Sequence, residues 1–206
     1  MTPNAYGLAV VTDPAAYQHQ ARANPENKLV DLAAFIPGIR LDIRYATAAN
    51  VLGEPLYATA AAFLRQPAAT ALRQVQAALA ARGLGLLVFD AYRPYGVTVR
   101  FWARIQDETY AAPPWRGSRH NRGCSIDVAL VDARGQPLPM PTAFDHLTPA
   151  ACATYEPVSA AARRNRALLL AVMARFHFVN YPAEWWHFDF TGWADFALLD
   201  IEFQEL

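Results

Sequence analysis

The sequence has only two cysteines, Cys124 and Cys152, among its 206 residues. Two cysteines are too few for the disulfide framework that stabilises small secreted domains, and a free buried thiol is the commoner state of a single cysteine. No stretch of about 18 apolar residues is present, so the sequence contains no candidate transmembrane helix. It also lacks internal repeats and low-complexity segments, which excludes solenoid and disordered classes of protein.

An excess of charge is also missing, because 18 Lys and Arg residues balance 18 Asp and Glu residues. A neutral chain without a basic run has no electrostatic footprint for nucleic acid or anionic lipid. We therefore expect no nucleic-acid partner and no membrane span, and instead a small polar or zwitterionic substrate. The sequence leaves the oligomeric state open.

The N-terminal residues carry neither the basic region nor the long apolar region of a secretory signal. The chain as it reads is therefore predicted to be cytoplasmic, and a periplasmic location would follow if a leader had been removed. A hydrophobic content of 54% with 17% charged residues predicts one compact domain with a sizeable core. We assign residues 1–28 to an N-terminal arm with one helix over 14–23, and residues 29–206 to the main domain.

Hydrophobic periodicity predicts both strands and helices. Strict alternation predicts a strand over residues 39–45. The spacing of Leu72, Val75 and Leu79 predicts a helix after Pro67, which fits the first turn. The other predicted elements are strands over 84–90, 124–131, 178–181 and 187–190, and helices over 96–107 and 159–176. Strands joined by turns, with helices between some of them, predict an α+β fold with a mostly antiparallel sheet.

Residues suited to a hydrolytic metal site lie in three separate segments. His120, Asp127 and His187 offer two imidazoles and one carboxylate, a plausible ligand set for catalytic zinc with a fourth position left open. Glu184 lies three residues before His187, close enough to act as a base. Arg93 is a permanent cation suited to stabilising an oxyanion. These residue types together indicate a zinc hydrolase.

The spacing of these residues requires irregular backbone. His120 and Asp127 are seven positions apart, and on a straight strand an odd separation points side chains to opposite faces. The turn residues 121–123 would have to reset the register. Glu184 and His187, three apart, likewise need a kink or helical turn between them. Alternation in residues 124–131 places Asp127 on one face of the predicted strand and the large aliphatic side chains on the other face.

Each candidate also has an ordinary interpretation. Arg93 could be a surface ion-pair partner, and Asp90 could cap a turn. Trp185 and Trp186 are interpreted as core or pocket wall. The remaining histidines are assigned to the surface or the core: His19, His146 and His177. The spacing of the two ligand motifs is by itself only moderately specific for a zinc site. The motifs become highly specific only together with the residues that surround them.

Five motifs stand in one order along the chain: Arg44-Tyr45-Ala46-Thr47 followed by Asn50; Asp90-Ala91-Tyr92-Arg93-Pro94; Ser118-x-His120-x-Arg122-Gly123-x3-Asp127; Met140 followed by Phe144-Asp145; and Glu184-Trp185-Trp186-His187. From about residue 29 to residue 190 the chain resembles the D-alanyl-D-alanine dipeptidases, zinc enzymes known from vancomycin resistance. That family shares its fold with zinc DD-carboxypeptidases and the Hedgehog signalling domain.

The resemblance implies a Hedgehog/DD-peptidase-like catalytic domain and a role for each matching residue. The zinc ligands it implies, for one ion per chain, are His120, Asp127 and His187. It implies Glu184 as catalytic base and Arg93 as the residue that stabilises the tetrahedral intermediate. The substrate-binding residues it implies are Tyr45, Ser118 and Asp145, of which Asp145 suits the free ammonium. Two departures affect the pocket: Arg119 is bulky where the resistance enzymes have a small residue, and the stretch between Pro94 and Ser118 is shorter.

We therefore expect a zinc dipeptidase of peptidoglycan metabolism that cleaves D-Ala-D-Ala or a closely related dipeptide. Two alternatives stay open. A zinc DD-carboxypeptidase would use the same residues on longer stem peptides in an open groove. A non-enzymatic zinc module, as in Hedgehog-type domains, would need neither Glu184 nor Arg93, so their presence speaks against it.

Overall fold

A computed structural model describes residues 3–206. The helices are α1 (Pro14–Ala23), α2 (Leu32–Phe35), α3 (Gln66–Ala80), α4 (Tyr95–Ile105) and α5 (Ala160–Arg175). The strands are β1 (Val10–Val11), β2 (Leu29–Asp31), β3 (Arg40–Leu41), β4 (Phe63–Arg65), β5 (Leu84–Asp90), β6 (Ser125–Asp132), β7 (Phe178–Asn180), β8 (His187–Phe190) and β9 (Leu198–Leu199). Short 3-10 helices join some of them, including Arg44–Ala46 and His120–Arg122.

A five-stranded sheet in the order β3-β5-β6-β8-β7 forms the centre of the fold. The pairs β5–β6, β6–β8 and β7–β8 are antiparallel, whereas β3 runs parallel to β5. Two further ladders pair β1 with β9 and β2 with β4. The sheet is thus mainly antiparallel with helices beside it, and the predicted α+β class is confirmed.

The central strands are buried because aliphatic side chains occupy both of their faces. All residues of β5 except Leu84, and all of β6 except Asp132, are buried. Helix α3 packs against β5 and α5, and α5 packs against β6 and β7. Complete burial of each large aliphatic side chain in these elements stabilises the fold by roughly 1.5–3 kcal/mol. The buried central strands β5 and β6 include Asp90 and Asp127, two of the residues discussed above.

Most of the predicted elements are present within a few residues of their predicted limits. Helix α1 has the predicted bounds, and Pro67 lies in the first turn of α3. The predicted strands at 84–90, 124–131, 178–181 and 187–190 correspond to β5, β6, β7 and β8. The predicted helices at 96–107 and 159–176 correspond to α4 and α5, and the side chain of Ser159 caps α5.

The prediction of a strand over residues 39–45 is wrong for most of its length. Only Arg40–Leu41 form a strand, and the chain then turns into the 3-10 helix Arg44–Ala46. The turn buries the ring of Tyr45, which packs edge-on against Tyr57 and Phe101. The Tyr45 carbonyl also accepts hydrogen bonds from two backbone amides of residues 56 and 57. These tertiary contacts override the local alternation.

The N-terminal residues that the structure describes pack against later parts of the chain. Strand β1 pairs with β9, and the hydroxyl of Tyr17 accepts a hydrogen bond of 2.8 Å from the amide of Leu29. Val11 and Tyr17 join a buried cluster with Tyr92 and Leu199. Within residues 3–206, none of the helices is both long and apolar enough to cross a membrane.

A glycine turn connects the 3-10 helix of His120 to β6. Gly123 has a φ of 69°, and its amide donates to the carbonyl of His120 at 3.0 Å. A Cβ at this position would lie 2.5 Å from Cδ2 of Leu29. Both the positive φ and the close approach therefore require glycine.

We predict that Gly123→Ala lowers the free energy of unfolding by about 2–5 kcal/mol, because left-handed strain adds to overpacking against Leu29. Gly53→Ala is the matched control, since Gly53 has a φ of 72° but nothing within 4 Å of an added Cβ. It should cost only about 1–2 kcal/mol, from the strain alone. Urea denaturation of the two variants measures the difference, and equal costs would contradict the role given to the Leu29 contact.

Candidate active site

The register of three neighbouring strands places acidic and imidazole side chains side by side. Asp90 of β5 is opposite Asp127 of β6, and Asp127 is opposite His187 of β8. The register shifts between Val88 and Asp90, which re-aims the end of β5. Side chains of directly opposite residues share a face of the sheet. Asp127 and His187, far apart in sequence, therefore point to the same place.

His120 completes this group from the 3-10 helix that precedes β6. Its Nε2 lies 3.1 Å from Nδ1 of His187 and 3.6 Å from Oδ2 of Asp127. Nδ1 of His187 lies 3.0 Å from Oδ1 of Asp127. One ligand atom from each residue lies within 4.8 Å of the other two, so the group could hold a metal ion. The turn at Gly123 supplies the change of register that the odd spacing requires.

The chemistry of this donor set fits a zinc ion. The outer nitrogens of the two imidazoles face acceptors: Nδ1 of His120 lies 2.6 Å from the Ala91 carbonyl, and Nε2 of His187 lies 3.0 Å from Oδ1 of Asp189. In neutral rings, donation to these acceptors leaves the inner nitrogens unprotonated. Two lone pairs then converge with the carboxylate of Asp127, an arrangement that needs a cation. Imidazole and carboxylate are ligands that zinc takes in proteins.

Glu184 lies in the turn between β7 and β8. The backbone of Trp185 and Trp186 forms the turn that the spacing of Glu184 and His187 requires, and the side-chain amide of Asn180 donates to the carbonyls of both Glu184 and His187 at 2.9 Å. Oε2 of Glu184 lies 3.8 Å from Nδ1 of His187. Burial raises the pKa of Glu184 to about 8. The side chain is thus a carboxylate with raised proton affinity beside the ligand group.

Arg93 forms a buried ion pair with Asp90. Its Nε and Nη2 donate to Oδ2 of Asp90 at 3.0 and 2.7 Å, and the hydroxyl of Tyr57 donates to Oδ1 at 2.7 Å. The guanidinium lies 4.6 Å from the ring centre of Phe101 and 5.2 Å from that of Tyr45. The side chains of Arg93 and Asp90 are only 11% and 1% exposed. The interpretations of Arg93 as a surface residue and of Asp90 as a turn cap are therefore wrong.

A carboxylate with one unpaired oxygen lies in the loop between β6 and α5. Oδ1 of Asp145 accepts a hydrogen bond of 2.9 Å from the hydroxyl of Tyr45. Oδ2 is buried, and no hydrogen-bond partner reaches it among residues 3–206. Burial raises the pKa of Asp145 to about 7. The backbone of Val51 opposes this rise, but Oδ2 itself has no hydrogen-bond donor among the described residues.

One cavity of about 550 Å³ contains all eight residues singled out in the sequence: Tyr45, Arg93, Ser118, His120, Asp127, Asp145, Glu184 and His187. Ser118 contributes its Oγ, which accepts from the amide of His120 at 3.2 Å. Trp186 forms part of the cavity wall, whereas Trp185 is a core residue whose Nε1 donates to Thr142 at 2.9 Å. The structure thus brings together residues spread over the whole domain.

Sequence reasoning missed two residues that contact the side chains of this site. Asp189 is the acceptor for Nε2 of His187, and Tyr57 is a donor to Asp90. Asp189 had a recognisable signal, because residues two apart in a predicted strand share a face. Tyr57 had none, since it lies 33 positions from Asp90 in a segment without periodicity.

Comparison with known proteins identifies the family. A family model described as peptidase M15, D-ala-D-ala dipeptidase, matches residues 25–204. The chain belongs to this family. It is therefore a metallopeptidase of the D-Ala-D-Ala dipeptidase type, and the resemblance seen in the sequence is confirmed.

Individual relatives have the same description. A D-alanyl-D-alanine dipeptidase of Escherichia coli strain K12 is 37% identical over 176 residues, covering 85% of this chain and 91% of the relative. Another, from Enterococcus faecalis strain V583, is 30% identical over 184 residues, covering 79% and 91%. A solved structure of the LdcB LD-carboxypeptidase covers 81% of this chain and 69% of its own, with 17% identity and a TM-score of 0.46.

We predict that Asp90→Ala lowers the free energy of unfolding by about 3–5 kcal/mol, because it leaves the Arg93 charge buried without a partner. The double variant Asp90→Ala with Arg93→Met should recover much of this loss, since it removes both charges. Urea denaturation measures both effects.

The control for this prediction is Asp42→Ala. Asp42 also pairs with an arginine at 2.8 Å, Arg44, but both side chains are about 40% exposed. Exposed pairs contribute less than about 1 kcal/mol. If Asp90→Ala cost no more than Asp42→Ala, the buried pair would not be a structural requirement of the site.

Proposed function

We propose that this protein hydrolyses the free dipeptide D-Ala-D-Ala with one zinc ion bound by His120, Asp127 and His187. The observation that carries the proposal is that one cavity contains both this ligand group and the unpaired Oδ2 of Asp145. A buried carboxylate without a cationic partner tends to take up a proton, and a cation beside Asp145 would keep it ionised. The free ammonium of an unblocked dipeptide supplies that cation, and family membership supports the same substrate.

Glu184 is the proton carrier in this proposal. When bound, zinc supplies a Lewis acid that polarises a carbonyl and makes a water molecule acidic. Glu184 takes the proton from the attacking water and delivers it to the leaving amine. Its Oε2 lies 3.8 Å from Nδ1 of His187, so a water held beside the ligand group would be within its reach. The burial that raises its pKa makes Glu184 a stronger proton acceptor than an exposed carboxylate.

Arg93 stabilises the negative charge that develops on the scissile carbonyl oxygen. Asp90 accepts from Nε and Nη2, which leaves Nη1 free of this pair, and Arg93 lines the cavity. Because Asp90 and Tyr57 hold the group in advance, little reorganisation is needed during the reaction. A preorganised cation in a shielded site stabilises charge more strongly than one in water.

Asp145, Tyr45 and Ser118 hold the substrate in this proposal. Asp145 pairs with the ammonium through Oδ2, while the hydroxyl of Tyr45 fixes Oδ1 at 2.9 Å. Ser118 already accepts from the amide of His120, so its own proton can be donated to the dipeptide. Pairing the charged ends offsets the desolvation of a zwitterion.

We predict that Glu184→Gln retains one zinc ion per chain but loses about 10²–10⁴-fold in kcat, because the amide cannot take a proton. His187→Ala is the contrasting variant and should lose both zinc and activity. Metal analysis and initial rates on D-Ala-D-Ala distinguish the two. Retention of most of the activity in Glu184→Gln would mean that another group transfers the proton.

We predict that the unaltered protein cleaves D-Ala-D-Ala at least roughly 10²–10³ times more efficiently, in kcat/KM, than N-acetyl-D-Ala-D-Ala. Acetylation removes the charge that Asp145 pairs with, and an unpaired buried carboxylate costs several kcal/mol. Asp145→Asn should narrow this ratio, mainly by lowering the rate on the free dipeptide. Asp42→Asn, outside the cavity, is the control and should leave the ratio unchanged.

The same comparison decides between this proposal and its alternatives. Comparable turnover of the free and the acetylated dipeptide would favour a DD-carboxypeptidase acting on longer stem peptides. No turnover of either compound by zinc-loaded protein would favour a non-enzymatic zinc module.

A further inference from the structure

We infer that Asp189 is a positioning residue for the metal ligand His187, and that the half-exposed Arg119 holds Asp189 in place. The inference rests on the proposed metal site. It comes from a continuous set of contacts from the cavity rim to the outer nitrogen of His187. Neither Asp189 nor Arg119 has a role in the mechanism proposed above.

Strand pairing brings Asp189 to His187. The two residues are two apart in β8 and so share a face of the sheet, and Asp189 lies opposite Ser125 of β6. Oδ1 of Asp189 accepts from the Ser125 hydroxyl at 2.6 Å and lies 3.0 Å from Nε2 of His187. The Asp189 side chain is only 6% exposed. Its position therefore follows from the same register that defines the ligand group.

Arg119 holds the other oxygen of this carboxylate. Its Nη1 donates to Oδ2 of Asp189, and its guanidinium lies 4.6 Å from the ring centre of Trp193. With Ser125 and His187 on Oδ1 and Arg119 on Oδ2, rotation of the carboxylate would break at least one contact. Oδ1 thus stays aimed at Nε2 of His187.

This arrangement selects one tautomer of His187. A neutral imidazole carries its proton on either nitrogen, and the partner of the outer nitrogen decides which one. Nε2 of His187 lies 3.0 Å from Asp189 and Nδ1 lies 3.0 Å from Asp127. A cation held by Asp127 and Nδ1 excludes the proton from Nδ1, and Asp189 then accepts from the proton on Nε2. Without Asp189, the ring would lose both its orientation and its preference for this tautomer. Acceptors of this kind change metal affinity by about 10–100-fold.

The Arg119 pair differs from an ordinary surface ion pair. Arg119 is 46% exposed but its partner only 6%. Arg116 and Glu108, also at the cavity rim, pair at 3.1 Å with 58% and 57% exposure. Exposed pairs of that kind contribute little. Arg116 touches no part of the ligand group in the described chain, which makes it the matched control for Arg119.

Zinc affinity measured by chelator competition tests the inference. We expect Asp189→Ala to weaken zinc binding by about 10–100-fold. Asp189→Asn should lose less zinc affinity, because its amide oxygen can still accept from Nε2 of His187. This variant replaces Asp189→Ala in the test if the alanine variant fails to fold. Arg119→Ala should weaken binding by about 2–5-fold, as loss of a partly exposed pair predicts, and Arg116→Ala should not change it.

Long-range ¹H–¹⁵N spectra of the zinc-loaded protein supply a second readout. The unaltered protein should show His187 protonated at Nε2 and coordinated through Nδ1, and Asp189→Ala should lose this single state. The free energy of unfolding of the zinc-free variants shows whether a loss of zinc affinity comes from the position of His187 or from a less stable fold. If Asp189→Ala lowered stability but kept the zinc affinity and the tautomer, the positioning role would be wrong.

Two further outcomes would also overturn the inference. If Arg119→Ala raised KM for the dipeptide and left zinc affinity unchanged, Arg119 would contact substrate instead of holding Asp189. If the unaltered protein bound no zinc, the proposed metal site would fail, and this inference with it. Neither the affinity nor the spectra require turnover, so loss of the proposed dipeptidase activity alone leaves both tests intact.

Discussion

The register between β6 and β8 is the constraint on which the rest of the site depends. It sets Asp127 opposite His187 and Ser125 opposite Asp189, so ligand and supporting residues come from the same two strands. A slip of one residue would turn every side chain of one strand to the other face. The aliphatic residues of β6, buried on both sides of the strand, resist such a slip. Ordinary core packing therefore positions the metal ligands.

Two carboxylates at or beside the cavity are paired with arginines, whereas Asp145 is not. Asp90 is neutralised by Arg93, and Asp189 by Arg119. The first oxygen of Asp145 accepts from the hydroxyl of Tyr45, and its second oxygen has no hydrogen-bond partner among the described residues. Burying an unpaired carboxylate destabilises a fold unless something binds it. The second oxygen of Asp145 is the atom to which the proposed function assigns the ammonium of the substrate.

The geometry of the ligand group and the family match both indicate a metallopeptidase. The ligand geometry depends only on the strands and turns of this chain, whereas membership of the D-Ala-D-Ala dipeptidase family depends on the match over residues 25–204. Arg119 and Asp189 add a feature outside the residues that the motifs singled out. If they act as inferred, the carboxylate of Asp189 links Arg119 at the rim of the cavity to the metal ligand His187.

The sequence by itself determined the ligand types, their order and most of the strands and helices. Those predictions succeeded because long buried runs such as residues 84–90 and capped helices such as α5 depend on local signals. Only the tertiary structure decided that residues 42–45 leave the predicted strand, since the ring of Tyr45 packs between distant aromatic residues. It also decided the burial of the Asp90 pair and the role of Tyr57. Contacts between residues far apart in sequence leave no periodic signal, and for that reason they had to be seen in the fold.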